Sequence, residues 1–95
     1  MIRNIAMVKL KPGTPSEKVE RMITELQGMQ IPGMAHLSVG TDAGLREGNL
    51  DLVIVVDLDD EAAYQAYDED PEHNRIRRDL VAPIAERVER IQYRI

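Results

Sequence analysis

Two predicted strands of this chain carry apolar residues on both faces, which restricts the folds that can hold them. In residues 2–10, Ile5 and Met7 lie on one side, and the other side carries Ile2, Ala6, Val8 and Leu10. In residues 50–58, Val53 and Val55 lie opposite a second apolar set, Leu50, Leu52, Ile54, Val56 and Leu58. A strand with one face in water shows polar alternation, so both of these strands need cover on two sides. The chain therefore requires a layer of helices and a second apolar surface.

A helix is expected between the first two strands. Lys11-Pro12-Gly13 is typical of a turn, and Thr14 followed by Pro15 combines an N-cap with a proline at the first helical position. An apolar stripe follows at helical spacing, formed by Val19, Met22, Ile23 and Leu26. Gly28 is expected to end this helix. Residues 34–39 predict the second strand, and the glycine-containing residues 40–49 predict a loop.

The second helical region is expected in two parts. Asp59 and Asp60 open it, and Asp70 caps a restart in which Pro71 takes the first helical position. The apolar stripe of the second part is Ile76, Leu80 and Ile84, with Pro83 kinking its last turn. Residues 88–95 then alternate as expected of an edge strand. One face of this strand carries Ile91, Tyr93 and Ile95, and the other carries Arg90, Gln92 and Arg94.

The order β-α-β-β-α-β predicts an α+β fold of the ferredoxin-like kind, with a four-stranded antiparallel sheet and one domain over residues 1–95. Both helices should pack on one sheet face, which leaves apolar residues of the first and third strands on the other. Most soluble oligomers are symmetric, so a second copy of the same sheet is the simplest cover. We therefore expect a homodimer.

Composition excludes several classes of function. Twelve lysines and arginines against 17 aspartates and glutamates give a formal net charge of −5, which opposes binding to nucleic acid. No cysteine is present, so disulfides and cysteine-based zinc sites are excluded. The start of the chain lacks the apolar run of a signal peptide or membrane span, and we expect no membrane contact and a cytoplasmic location. Asp57, Asp59, Asp60 and Glu61 could attract Mg²⁺, but capping and solubility explain them better, so we expect neither metal nor cofactor.

Several stretches resemble the stress-responsive A/B barrel (Dabb) family over essentially the whole chain. They are the opening I-R-x-I-x-x-x-K-x-K-P of residues 2–12, Ile31-Pro32-Gly33, residues 48–53, Tyr67-x-x-x-Pro71-x-His73, and the closing Gln92-Tyr93. The resemblance implies a dimeric α+β barrel in which two sheets pack face to face. This agrees with the argument from the two-sided strands.

The resemblance also implies a pocket. In cyclising members of the family, a histidine on the first strand and the second histidine of an H-P-x-H turn line a cavity between helices and sheet. By position, the turn histidine is His73, whereas Asn4 replaces the first-strand histidine and Asp70 replaces the first turn histidine. A neutral imidazole can accept a proton near pH 7 and a carboxamide cannot, so His73 would act alone as base, with Tyr67 resembling the pocket tyrosine of the family.

Three hypotheses remain open from the sequence. The first is binding of a small apolar or carbonyl-containing ligand in a pocket lined by Asn4, Ala6, Val8, Met22, Ile23, Leu26, Tyr67, His73 and Ile76. The second is an enzyme of the polyketide-cyclase type, or a cofactor-free isomerase or monooxygenase, with His73 and Tyr67 as catalytic residues. The third is a purely structural oligomer associated with stress. Fold analogy alone does not choose among them.

Overall fold

The computed structural model describes residues 1–95 as four strands and three helices in the predicted order. The strands are β1 (Ile2–Leu10), β2 (Met34–Thr41), β3 (Leu52–Leu58) and β4 (Ala85–Arg94). The helices are α1 (Ser16–Gln27), α2 (Glu61–Glu69) and α3 (Pro71–Ile76), and a π-helical turn, Arg77–Val81, follows α3. None of these helices has the length and apolar content needed to cross a bilayer.

The strands form one antiparallel sheet in the order β2-β3-β1-β4, which confirms the ferredoxin-like fold. β1 and β3 are central, and β4 is an edge strand as predicted. The register aligns Asn4 of β1 with Val56 of β3 and Gln92 of β4. Along each of these strands, the residues on either side of this row point their side chains to the opposite sheet face.

The core lies between one face of the sheet and the helices. Its largest fully buried side chains come from the two central strands, from α1 and from α3: Val8, Met22, Leu26, Val56, Leu58 and Ile76. Each such side chain contributes roughly 1.5 to 3 kcal/mol by leaving water. The helix-facing side of the two-sided strands is thus covered by the chain itself.

The other sheet face is not covered by any element of the chain. We define this open face by its apolar residues, Ile5, Met7, Val53, Val55, Ile91 and Tyr93. Arg3 and Asp57 also lie there and form a two-pronged ion pair, with Nε–Oδ1 at 2.7 Å and Nη2–Oδ2 at 2.9 Å. The hydrogen bonds from Arg3 hold the pKa of Asp57 below its ordinary value. Asp57 therefore stays ionised on this face at neutral pH.

Two helix caps are confirmed and one is wrong. Asp60 accepts from Ala63 N at 2.8 Å, and Asp70 accepts from His73 N at 2.9 Å. Thr14 does not cap α1, because its hydroxyl donates to Lys11 O at 2.6 Å and so completes the preceding turn.

The starts of two strands, β3 and β4, also differ from those predicted. β3 begins at Leu52 rather than Leu50, and the Asp51 carboxylate before it accepts from Leu10 N at 2.7 Å. β4 begins at Ala85, so Ile84 is buried in the turn before the strand and is not part of a helix. The four-residue spacing between Leu80 and Ile84 therefore reflects the burial of Ile84 and does not indicate a helix there.

Candidate ligand-binding site

A cavity of about 490 Å³ lies between the helices and the β1–β4 half of the sheet. Its sheet side is lined by Asn4, Ala6, Val8, Ile54, Val88 and Arg90. Its helical side is lined by Leu26, Tyr64, Tyr67, Asp68, His73, Arg77 and Val81. Eight of these thirteen residues are hydrophobic, which gives the mostly apolar wall with a few polar groups that is usual in small-molecule sites.

His73 is positioned by the break between α2 and α3. Asp70 caps α3 and Pro71 starts it, which turns the chain so that His73 lies beneath the end of α2. The Nδ1 atom of His73 is 2.8 Å from the carbonyl oxygen of Tyr67. A carbonyl oxygen can only accept, so Nδ1 carries the proton and donates, and Nε2 keeps its lone pair in the neutral ring.

Burial lowers the pKa of His73 below its ordinary value of 6.5, against the opposing effect of the Tyr67 carbonyl. The ring is therefore neutral near pH 7. Nε2 forms no hydrogen bond within the chain. Every fully buried side-chain nitrogen and oxygen has a hydrogen-bond partner, so the Nε2 atom must keep some accessible surface. Since His73 is only 4% exposed overall, Nε2 must reach the cavity. The site thus holds a neutral base whose tautomer is fixed by the backbone.

Tyr67 lies against His73, with ring centroids 4.0 Å apart and planes inclined by 31°. Burial raises the pKa of Tyr67 to about 12, so its hydroxyl remains a proton donor at neutral pH. This hydroxyl has no partner within the chain and, by the same reasoning as for Nε2, opens to the cavity. The guanidinium of Arg77 is 5.9 Å from the Tyr67 ring centroid, within the range of a cation–π contact.

Asn4 is a polar residue on an otherwise apolar row of β1 and is 5% exposed. Its Oδ1 accepts from Gln92 Nε2 at 2.7 Å across the β1–β4 pair. The two Nδ2 protons of Asn4 find no acceptor in the chain, so they are available to a molecule in the cavity. Asn4 therefore offers a donor to the same cavity that the base and hydroxyl of the helical side reach.

The structure brings six of the nine proposed pocket residues together around the cavity: Asn4, Ala6, Val8, Leu26, Tyr67 and His73. Met22 and Ile76 are fully buried in the core, and Ile23 packs partly buried against it, so these three do not line the cavity. A helical stripe spans several turns, and in α1 only Leu26, near its C-terminal end, reaches the gap over β1. Whether the lining residues bind a ligand stays a prediction.

Sequence reasoning missed the polar rim of the cavity, formed by Tyr64, Asp68, Arg77 and Arg90. Arg90 shares a face of β4 with Val88, and this spacing of two could have indicated that the residue points toward the helices. The acidic cluster proposed as a possible Mg²⁺ site is engaged elsewhere: Asp57 pairs with Arg3, Asp60 caps α2, and Glu61 pairs with Arg94. No three potential metal ligands converge anywhere in residues 1–95.

The family model named Stress responsive A/B Barrel Domain (Dabb) matches residues 2–95. The chain belongs to the Dabb family. Among solved structures, this Dabb chain is similar to a dimeric ferredoxin-like protein of unknown function from Thermobifida fusca. The two share 31% identity and a TM-score of 0.92, over 99% of this chain and 90% of the other. No curated protein matches the sequence.

Two further solved structures show the same fold at lower identity. A Dabb family protein from Mesorhizobium loti is 23% identical with a TM-score of 0.83, over 99% of this Dabb chain and 95% of that one. A hydroxynitrile lyase from Passiflora edulis is 18% identical with a TM-score of 0.86, over 99% and 92%. The fold thus occurs both in an enzyme and in proteins whose function is unknown.

Proposed function

We propose that this Dabb protein is a homodimer that binds a small apolar or carbonyl-containing ligand in the cavity between its helices and its sheet. One observation carries the proposal: His73 is buried and neutral, with Nδ1 bound to Tyr67 O and Nε2 free toward the cavity. Buried polar groups normally find partners within a protein. An acceptor left free at the wall of an apolar cavity fits a partner that comes from outside the chain.

The polar groups of the site suit a carbonyl compound. The Tyr67 hydroxyl and the Asn4 amide are donors for a carbonyl oxygen, and His73 Nε2 is an acceptor for a ligand hydroxyl or acidic proton. Ala6, Val8 and Leu26 supply the apolar wall for a flat or aliphatic body. Asn4 in place of a first-strand histidine removes one base and keeps a hydrogen-bond donor, which favours binding over catalysis.

A second copy of the chain is the proposed cover of the open face. Ile91 and Tyr93 are 56% and 41% exposed in the single chain, and they continue the apolar surface of Ile5 and Val55. An apolar surface that runs across three neighbouring strands is typical of an interaction site. The similar Thermobifida fusca protein is described as dimeric, which supports the same assembly here.

Binding can be tested with 2-tetralone, a flat ketone, by following amide shifts in ¹⁵N–¹H NMR titrations. We expect shifts at Asn4, Tyr67 and His73. Tyr67→Phe and His73→Gln should each weaken binding about 2- to 10-fold, the effect of one lost hydrogen bond. His36→Gln is the matched control, because His36 lies on the sheet face opposite the cavity.

Shifts confined to the loop of residues 42–51, or equal affinity in all variants, would contradict a site at His73. A stable dimer that binds neither 2-tetralone nor related ketones would leave a role through assembly alone.

The fixed tautomer and lowered pKa of His73 also favour a second candidate function, proton abstraction next to a carbonyl. The hydroxynitrile lyase of the same fold shows that an enzyme can be built on this architecture. Exchange of the acidic C–H protons of 2-tetralone in D₂O measures this step directly. An enzyme should accelerate exchange in the wild type and in His36→Gln and lose it in His73→Gln. Binding without accelerated exchange would exclude this activity for 2-tetralone.

A further inference from the structure

The charged residues around the cavity are not balanced. Arg77 is compensated, since it pairs with the Asp68 carboxylate at 3.0 Å and donates to Asn74 Oδ1 at 3.0 Å. Arg90 lines the same cavity and takes part in no ion pair or hydrogen bond with another side chain. The lining therefore carries one uncompensated positive charge, in a chain whose formal net charge is −5.

The absence of a partner for Arg90 follows from its position. Arg90 lies opposite Ala6 in the β1–β4 register, on the face toward the helices. Its sequence neighbour Glu89 lies on the other face and pairs with Arg87 at 3.1 Å, and Arg94 pairs with Glu61. Carboxylates are thus available to the arginines on either side, whereas Arg90, an exposed residue of the edge strand, lies beside Ala6 and lines the cavity near Tyr67.

We propose that Arg90 selects ligands that carry a carboxylate, which it holds at the rim of the cavity while the apolar body lies over Ala6, Val8 and Leu26. A guanidinium matches a carboxylate in charge and in its two-pronged geometry. A phosphate monoester is disfavoured, because its charge of about −1.5 to −2 exceeds the single free positive charge and meets Asp68 at the same rim. This inference rests on the proposed ligand binding in the same cavity and adds the chemical class of the ligand.

Three probes of one shape test the inference: 2-naphthoate, the neutral 2-naphthamide and 2-naphthyl phosphate, each titrated by calorimetry. We expect the wild type to bind the carboxylate at least about tenfold more tightly than the amide, as one charge-assisted contact implies. Arg90→Gln should weaken carboxylate binding at least about tenfold and so abolish this preference, with a smaller loss for the amide, whose carbonyl oxygen can also accept from Arg90. Arg46→Gln is the matched control, because Arg46 is an exposed loop arginine without an ion pair, and it should retain the preference.

The other outcomes separate this inference from the proposed function. Equal binding of carboxylate and amide, or a preference that survives in Arg90→Gln, overturns the role of Arg90 while ligand binding stands. Tighter binding of the phosphate than of the carboxylate overturns the choice of ligand class. If no probe binds and 2-tetralone does not bind either, the proposed function fails together with the inference.

Discussion

Replacing Gly33 with alanine should destabilise the protein strongly, because the backbone of Gly33 is in the left-handed region and an added Cβ would collide with a helix. Gly33 has φ of +84°, and a Cβ built there would lie 2.6 Å from the Cβ of Ala63 in α2. The left-handed conformation costs a non-glycine residue about 1 to 2 kcal/mol, and overpacking costs about 1 to 3 kcal/mol. We expect Gly33→Ala to lower the free energy of unfolding by about 2 to 5 kcal/mol, a large part of a typical total of about 5 to 15 kcal/mol.

Gly44→Ala separates the two contributions. Gly44 has a similar φ of +74° but has no atom within 4 Å of the added Cβ, so only the conformational cost should appear. A second variant, Ala63→Gly, removes the atom with which the new Cβ collides. In the Gly33→Ala background it should recover part of the lost stability, although alone it costs about 1 kcal/mol as a glycine in a helix.

The assay is urea unfolding followed by circular dichroism, at one fixed protein concentration because a dimer is stabilised by mass action. Equal losses in Gly33→Ala and Gly44→Ala would refute the proposed contact. Additive effects of Gly33→Ala and Ala63→Gly would refute it independently. The contact matters for the site, since Gly33 O also accepts from Asp59 N at 2.9 Å just before α2, the helix that carries Tyr67.

Two further predictions concern the site and the open face. Because the pKa of His73 is lowered in the folded chain, the unfolded chain binds more protons just below pH 6.5. His73 therefore contributes stability that is complete above about pH 7 and is lost as pH falls through its folded pKa. His73→Gln should reduce the drop in unfolding free energy between pH 7.5 and pH 5.5, and an unchanged drop would contradict the burial of this ring. Ile91→Lys should convert the proposed dimer to a monomer in sedimentation velocity. Ala62→Lys, on the exposed side of α2, is the control and should leave the dimer intact. A dimer that persists in Ile91→Lys would argue against pairing through the open face.

Local chemistry made much of this fold predictable. Asp60 and Asp70 were identified as caps because a cap is formed by residues three apart in sequence, and Pro71 marks the restart without tertiary information. The predicted cap at Thr14 was wrong because the Thr14 hydroxyl donates to the carbonyl of Lys11 in the preceding turn instead of capping the helix. The element order and the two-sided strands followed from periodicity alone.

The candidate site was harder to predict, because it depends on contacts between distant parts of the chain. The pairing of Asn4 with Gln92 joins residues 88 positions apart, and the position of Arg90 follows only from this register. Met22 and Ile76 were expected at the cavity because they share faces with residues that do reach it. Apolar periodicity identifies a buried face, but it does not show which part of that face meets protein and which part meets empty space.

The hydrogen bond between Asn4 and Gln92 makes the polar groups of the cavity depend on the register between β1 and β4. β4 is paired on one side only, and a slip of one residue would turn Gln92 and Arg90 to the opposite face together. A misaligned chain could keep its helices and much of its core, yet it would lose the partner of Asn4 and the charge at the rim in a single step. The same strand that forms the edge of the sheet thus also supplies the charged group that we propose to select the ligand.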